Sequence, residues 1–238
     1  MDTMSQSQLE HLFEMAHTSH FNEAAFYTHL LMAMVFVHVP VSDDDKKVRL
    51  IQFRHPDGFD AIPVFTSARR CNRAGSAAVR SVQVPCIELF GATRGATIMI
   101  NPNDGGPVLY PEEITALLEK GSLEPFEKLE PADGTWDVRP AQNPPIHVVK
   151  AVREGAASAS FIKQIFLMEK RERKSEELVL LVYIGTESGH LERAARHMVQ
   201  VLQSLHPRLN AVIDVAVYDG ACGRPEFLNE LGAVPVFG

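Results

Sequence analysis

The sequence predicts an α+β protein built as two small domains, each a mainly antiparallel or mixed sheet with helices packed on it. Three observations carry this. Short apolar runs of strand length alternate with amphipathic stripes of helical period along the whole chain. At 238 residues the chain can bury two modest cores. Pro131, Gly134, Pro140, Pro144 and Pro145 crowd one span, which predicts a linker over 131–145 between domains at 1–130 and 146–238.

In the first domain, Ser7 followed by Glu10 has the spacing of a capping box, with Leu9, Leu12, Phe13 and Ala16 on one helical face. Asn22 is suited to cap a second helix, with Phe21 and Phe26 as its hydrophobic staple. Val35–Val41 turns β-branched and breaks at Ser42-Asp43-Asp44-Asp45. Val48–Phe53 and Ala61–Phe65 are the next strands, joined through the turn signal Asp57-Gly58. Ser67 can cap a helix over Arg69–Ala78, and the apolar segment Cys86–Phe90 reads as helical after Pro85.

The most legible stretch is 96–121. Thr97-Ile98-Met99-Ile100 is a buried strand that stops at Asn101-Pro102. Asn103, Asp104, Gly105 and Gly106 supply a tight turn. Pro111 fits the first position of a helix, Glu112 and Glu113 suit its positive end, and Lys120 and Gly121 suit its far end.

In the second domain, Asn143 can cap a helix with Pro144 and Pro145 at its start and Ile146, Val149, Val152 and Ala156 facing inward. Phe161–Met168 and Leu178–Ile184 are strands around a charged loop. Leu191, Ala194, Ala195, Met198, Leu202 and Leu205 trace a helix that ends before Pro207. A strand over Val212–Tyr218, a short helix over Pro225–Leu231 and a closing strand over Val234–Phe237 complete the chain.

Composition narrows the function. Thirty acidic against twenty-three basic residues give a net charge of −7, which argues against a general binder of nucleic-acid backbones. The amino terminus lacks the pattern of a signal peptide, and the longest apolar run, Leu30–Val37, is too short to span a bilayer. Cytoplasm without membrane attachment is therefore expected. Three unpaired cysteines, Cys71, Cys86 and Cys222, fit reduced, buried thiols.

No cofactor is expected: a Walker lysine and a dinucleotide glycine fingerprint are both missing from the sequence. Asn101, Asn103, Gly106 and Glu112 match EF-hand spacing. However, Gly105 stands at a ligand position, Pro102 and Pro111 interrupt the loop, and the first position lacks a carboxylate. The Asp43–Asp45 run reads as a solvated break, and the ten histidines are dispersed, His190 and His197 alone sharing a helical face. In Gly185-Thr186-Glu187-Ser188-Gly189 the serine is displaced by one from a nucleophile elbow, so Ser188 reads as a helix cap. The candidate ligand-binding residues are Thr66, Ser67, Asn101, Asn103 and Asp104, where strands give way to turns whose hydroxyls and free N–H groups could hold a small anion or an amino-acid carboxylate. The same residues also serve as simple caps.

The phrase Ile100-Asn101-Pro102-Asn103-Asp104-Gly105-Gly106 followed by Pro111-Glu112-Glu113-Ile114, with the earlier Ile62-Pro63-Val64-Phe65-Thr66-Ser67, resembles the N-terminal domain of the enhanced serine sensitivity protein family, SseB. The resemblance is good over the first half of the chain and looser over the second. It implies a bacterial cytoplasmic protein connected with serine tolerance, acting without catalysis through a protein partner. It brings no catalytic residues. The alternative is a small-ligand module for an amino acid or anion at the five residues above.

Overall fold

A computed structural model describes residues 6–16, 20–43, 49–123, 136–172, 178–205 and 212–238. It confirms the α+β class. The chain divides into two compact units, Met1–Phe126 and Glu127–Gly238.

The first unit holds helices α1 (Gln6–Ala16) and α2 (His20–Leu31), strands β1 (Met34–Pro40), β2 (Phe53–Arg54) and β3 (Asp60–Phe65), helix α3 (Ala68–Ala74), strand β4 (Val79–Pro85), helix α4 (Cys86–Ala92), strands β5 (Thr97–Ile100) and β6 (Val108–Leu109), and helix α5 (Pro111–Lys120). Its mixed sheet runs β4-β1-β3-β5-β6, with β2 against β3. The pair β3 and β5 is parallel, in register Val64↔Ile100, while β1 pairs antiparallel with both β3 and β4. Phe26, Leu30, Val35, Val64, Phe90, Ile98, Ile100, Ile114 and Leu117 form one buried core between this sheet and its helices.

The unit from strand to capped helix forms as expected. Pro111 opens α5, Ile114 and Leu117 are buried, and Gly121 ends it at φ 75° with its N–H donating to the Leu117 carbonyl at 2.9 Å. Tyr110 is a weak cap residue, and Glu113 compensates by accepting from the Tyr110 N–H at 2.9 Å. The Asp57-Gly58 turn also forms, with Gly58 at φ 92° and the His55 N–H donating to the Phe59 carbonyl at 2.7 Å.

Several expectations need correction. Ser7 lies inside α1 and Asn22 inside α2, so neither caps its helix. Helix α3 stops at Ala74, and the following Val79–Pro85 is an edge strand paired along its full length with β1. Of the expected strand Val48–Phe53, Val48 lies outside the described residues and only Phe53, with Arg54, is strand.

The second unit contains β7 (Trp136–Pro140), α6 (Ile146–Ala157), β8 (Ile162–Glu172), β9 (Leu178–Thr186), α7 (Leu191–Gln203), β10 (Ile213–Asp219) and α8 (Glu226–Glu230). Its mixed sheet has the order β10-β9-β8-β7, with β9 and β10 parallel. Alternation along β8 and β9 buries both faces. Ile165, Leu167, Val182 and Ile184 join Val148, Val152, Ala194 and Met198 of α6 and α7, whereas Phe166, Met168, Leu181 and Tyr183 meet Phe227 and Leu228 of α8.

Trp136–Pro140, inside the span expected as linker, forms β7 against β8. Helix α6 begins only after Pro145, whose ψ of 129° is extended. Asn143 therefore does not cap it. The buried stripe runs through Val148, Val152, Gly155 and Ala156, while Ile146, expected to face inward, is 86% exposed. The closing segment forms only a bridge, Ile165↔Phe237.

Candidate functional site

Strands β3 and β5, being parallel, end side by side, and their following turns make one polar corner. After β3, Ser67 takes the cap of α3 and its Oγ accepts from the Arg70 N–H at 3.4 Å. After β5 the chain must turn at once, and Asn101 does so at φ 44°, in the left-handed region an asparagine tolerates better than most side chains. Its side chain repays that strain. Asn101 Oδ1 accepts from the Thr66 N–H at 3.0 Å and Nδ2 donates to Thr66 Oγ1 at 2.8 Å. Because the Thr66 N–H can only donate, this pairing fixes which end of the amide is oxygen. The Asn101 N–H donates to the Val64 carbonyl at 2.8 Å, closing the corner on itself.

Arg70, the third residue of α3, fills the centre of the corner and is 8% exposed. Its Nε donates to Glu10 Oε2 at 2.9 Å and Oε1 at 3.2 Å, its Nη1 to Asp104 Oδ2 at 2.5 Å, and its guanidinium lies 5.0 Å over the Phe13 ring. Glu10 also accepts from Thr66 Oγ1, and Asp104 from Arg73 Nη2. A continuous relay results, from Asn101 through Thr66, Glu10 and Arg70 to Asp104 and Arg73. Each polar group in it is satisfied by another, which is the condition for holding charge in a water-poor place.

Electrostatics agree with the geometry. Burial works against ionisation of Asp104, yet the Arg70 and Arg73 guanidiniums outweigh it and hold the carboxyl below its ordinary range. Burial likewise opposes the charge on Arg70, and Asp104 and Glu10 overcome it and raise its pKa. For a depressed carboxyl, the stabilisation is fully present above the unfolded-state value of about 4 and is lost as pH falls through the folded one. Asp104→Asn should therefore flatten the fall in unfolding free energy between about pH 5 and pH 2. Urea titrations across that range check this; equal acid sensitivity in the variant would contradict it.

Of the five expected site residues, the structure brings Thr66, Ser67, Asn101 and Asp104 together, while Asn103 sits exposed on the 3-10 turn Pro102–Asp104. The expectation missed Glu10, Arg70 and Arg73. The spacing predicts a capping role for Glu10, and its partners Thr66 and Arg70 lie 56 and 60 residues away, beyond any local signal.

Asp43 pairs with Arg49, whose Nε donates to Oδ1 at 2.9 Å, and Asp44 and Asp45 lie outside the described residues. Among the described residues no three His, Cys, Asp or Glu gather as a metal site would require. Cys71 and Cys86 are buried, and burial pushes both thiols up; Cys222 is exposed, contrary to the expected burial. His190 stacks on Phe161 at 5.2 Å and His197 meets the same ring edge-on at 6.4 Å. Ser188 is not a helix cap. Residue His190 takes that place at α7, and Ser188 Oγ donates to Asp219 at 2.8 and 2.9 Å.

A two-unit α+β chain with its amino-terminal polar corner closed by an internal arginine is thus the class of protein defined. The chain matches the SseB protein N-terminal domain over residues 9–116, which supports membership of the SseB family. It is similar to Protein SseB of Escherichia coli (strain K12) and to Protein SseB of Shigella flexneri. Each is 23% identical over 233 residues, covering 95% of this chain and 90% of the relative. No solved structure matches it. No helix among the described residues is long and apolar enough to cross a membrane.

Proposed function

We propose that the chain is a non-catalytic, cytosolic SseB-type protein that acts through contacts with another protein, in connection with the serine tolerance for which the family is named. The observation that supports this reading is the closure of the polar corner. Thr66, Asn101 and Asp104 spend their hydrogen bonds on one another, on Glu10 and on Arg70. Residues so engaged brace a fold; a carboxylate or amine entering from solvent would have to break that relay first. The corner therefore gives no reason to prefer an amino-acid ligand over a protein partner.

Two measurements separate these. A ligand at about a hundred times its dissociation constant adds about 2.7 kcal/mol, enough to raise the melting temperature by several degrees. Serine, other amino acids and small anions should leave it unchanged, and a saturable rise with serine would contradict the proposal. Affinity purification of the full chain from its native cell should recover one protein in near-stoichiometric amount. Recovery of abundant housekeeping proteins alone would count against it.

A further inference from the structure

The outer strand of a sheet leaves a row of backbone N–H and carbonyl groups without a ladder partner, and a second chain can pair with them. Most outer strands of this protein carry a device against that. β2 and β6 are two residues long, and β6 lies between Pro107 and Pro111. β4 carries Arg80 and ends on Pro85. β7 carries Asp137 and Arg139 and ends on Pro140. Shortness, charge and proline are the usual means by which an edge stays unpaired.

β10 carries none of these. It is seven residues long, has no proline, lysine or arginine, and pairs on one side only, parallel to β9. Among the described residues nothing else bonds its backbone. Val215 and Val217 stay half-buried, whereas the residues they pair with on β9, Val182 and Ile184, are buried. The two acids of the strand are already answered within the chain. Lys170 pairs with Asp214, and Ser188 Oγ and the Ala221 N–H donate to Asp219. The edge therefore offers bare backbone between small and β-branched side chains, with no free charge to select a charged partner.

Such an edge takes another extended backbone, because only that supplies donors and acceptors at the strand's own spacing. β10 of a second copy meets the requirement. Ala216 is the middle residue of the strand, so an antiparallel pair about a twofold axis at Ala216 engages its whole length. Ala216 then faces the partner's Ala216, Val215 the partner's Val217, Asp214 the partner's Tyr218 and Ile213 the partner's Asp219. No acid opposes an acid, and neutral side chains meet at the centre. Opposite residues of such a pair point to one face, so the valines of both copies fall on the side that packs on α6 and α7. The edge is thus complementary to itself.

We propose that β10 is the seat of a homodimer, in which the four-stranded sheet continues across a twofold axis at Ala216 into the same sheet of a second copy. The inference goes beyond the proposed contact with another protein and does not depend on it.

Sedimentation equilibrium of the full chain, from micromolar to near-millimolar concentration, tests it. The mass should rise with concentration from 26.4 kDa toward twice that value. Ala216→Lys sets two like charges against each other at the axis and should weaken dimerisation about fivefold, and Ala216→Glu should do the same. An equimolar mixture of the two variants sets a lysine against a glutamate and should restore association to at least the wild-type level. Only folded chains can regain a partner in this way, so the mixture separates a lost contact from a lost fold. A wild-type chain that stays monomeric throughout would overturn the inference and leave the edge to a strand of another protein. Variants that dimerise as well as the wild type, or a mixture no tighter than its components, would overturn it too.

Discussion

Arg70→Met should lower the unfolding free energy by about 2–3 kcal/mol, among the largest losses expected of any single side chain. Methionine matches the length of the stem and can still lie against Phe13. What it removes is the charge. Glu10 and Asp104, whose side chains are 19% and 22% exposed, would then share a partly dry corner with only Arg73 and Thr66 to answer them. Leaving such acids without their cation costs more than the ion pair itself contributes, because the desolvation of the survivors is no longer offset. Their partial exposure keeps the loss below the 3–5 kcal/mol typical of a fully buried pair. Urea unfolding at neutral pH measures it, and a loss under about 0.5 kcal/mol, the size of a surface substitution, would mean the relay contributes little.

Gly106→Ala should cost about 3 kcal/mol or more, for a reason of space and not of backbone angle. A Cβ built on Gly106 would stand 1.9 Å from the Ile100 carbonyl oxygen and 3.1 Å from Phe13 Cε2. The first of these is backbone, so the turn that carries Asp104 would have to move away from β5. Gly105 next to it provides the control. At φ 68° with nothing within 4 Å of its Cβ position, Gly105→Ala should lose only about 1–2 kcal/mol for the left-handed conformation. Unfolding free energies of the two variants, compared directly, decide the matter; equal losses would contradict the spatial argument.

The sequence was most legible where chemistry is local. The helix from Pro111 to Lys120 declared itself because its first position, first-turn acids, inward leucines and terminal glycine lie within eleven residues, and each is explained by a rule about helix ends. The strand over Thr97–Ile100 was equally plain from its unbroken apolar run. By contrast, β4 was hidden. Its Val82 and Val84 pack only partly against the core, and their alternation with Ser81 and Gln83 is too short on this edge strand to stand out, so the sequence predicts a helix running up to Ala78 before it. Proline density was misleading at Trp136–Pro140, where an edge position beside β8 tolerates Pro140.

The corner was half visible. Thr66, Ser67, Asn101 and Asp104 betray themselves as turn and cap residues, which is why they could be singled out without knowing where they meet. Glu10 and Arg70 could not be. Each sits at an unremarkable helical position, and what joins them is the packing of α1 against the strand ends, a fact of tertiary structure with no counterpart in spacing. The same holds for the second unit, where local sequence predicts a helix cap at Ser188 while its partner, Asp219, lies 31 residues on.

The most direct test of the central claim, that these polar residues answer one another within the fold, is a double-mutant cycle between Arg70→Met and Asp104→Asn, read as unfolding free energy in urea at neutral pH. A coupling of about 1–2 kcal/mol, the range found for residues that share one ion-pair network, is the predicted result. Losses that simply add would show that the two side chains do not depend on each other, and would contradict it.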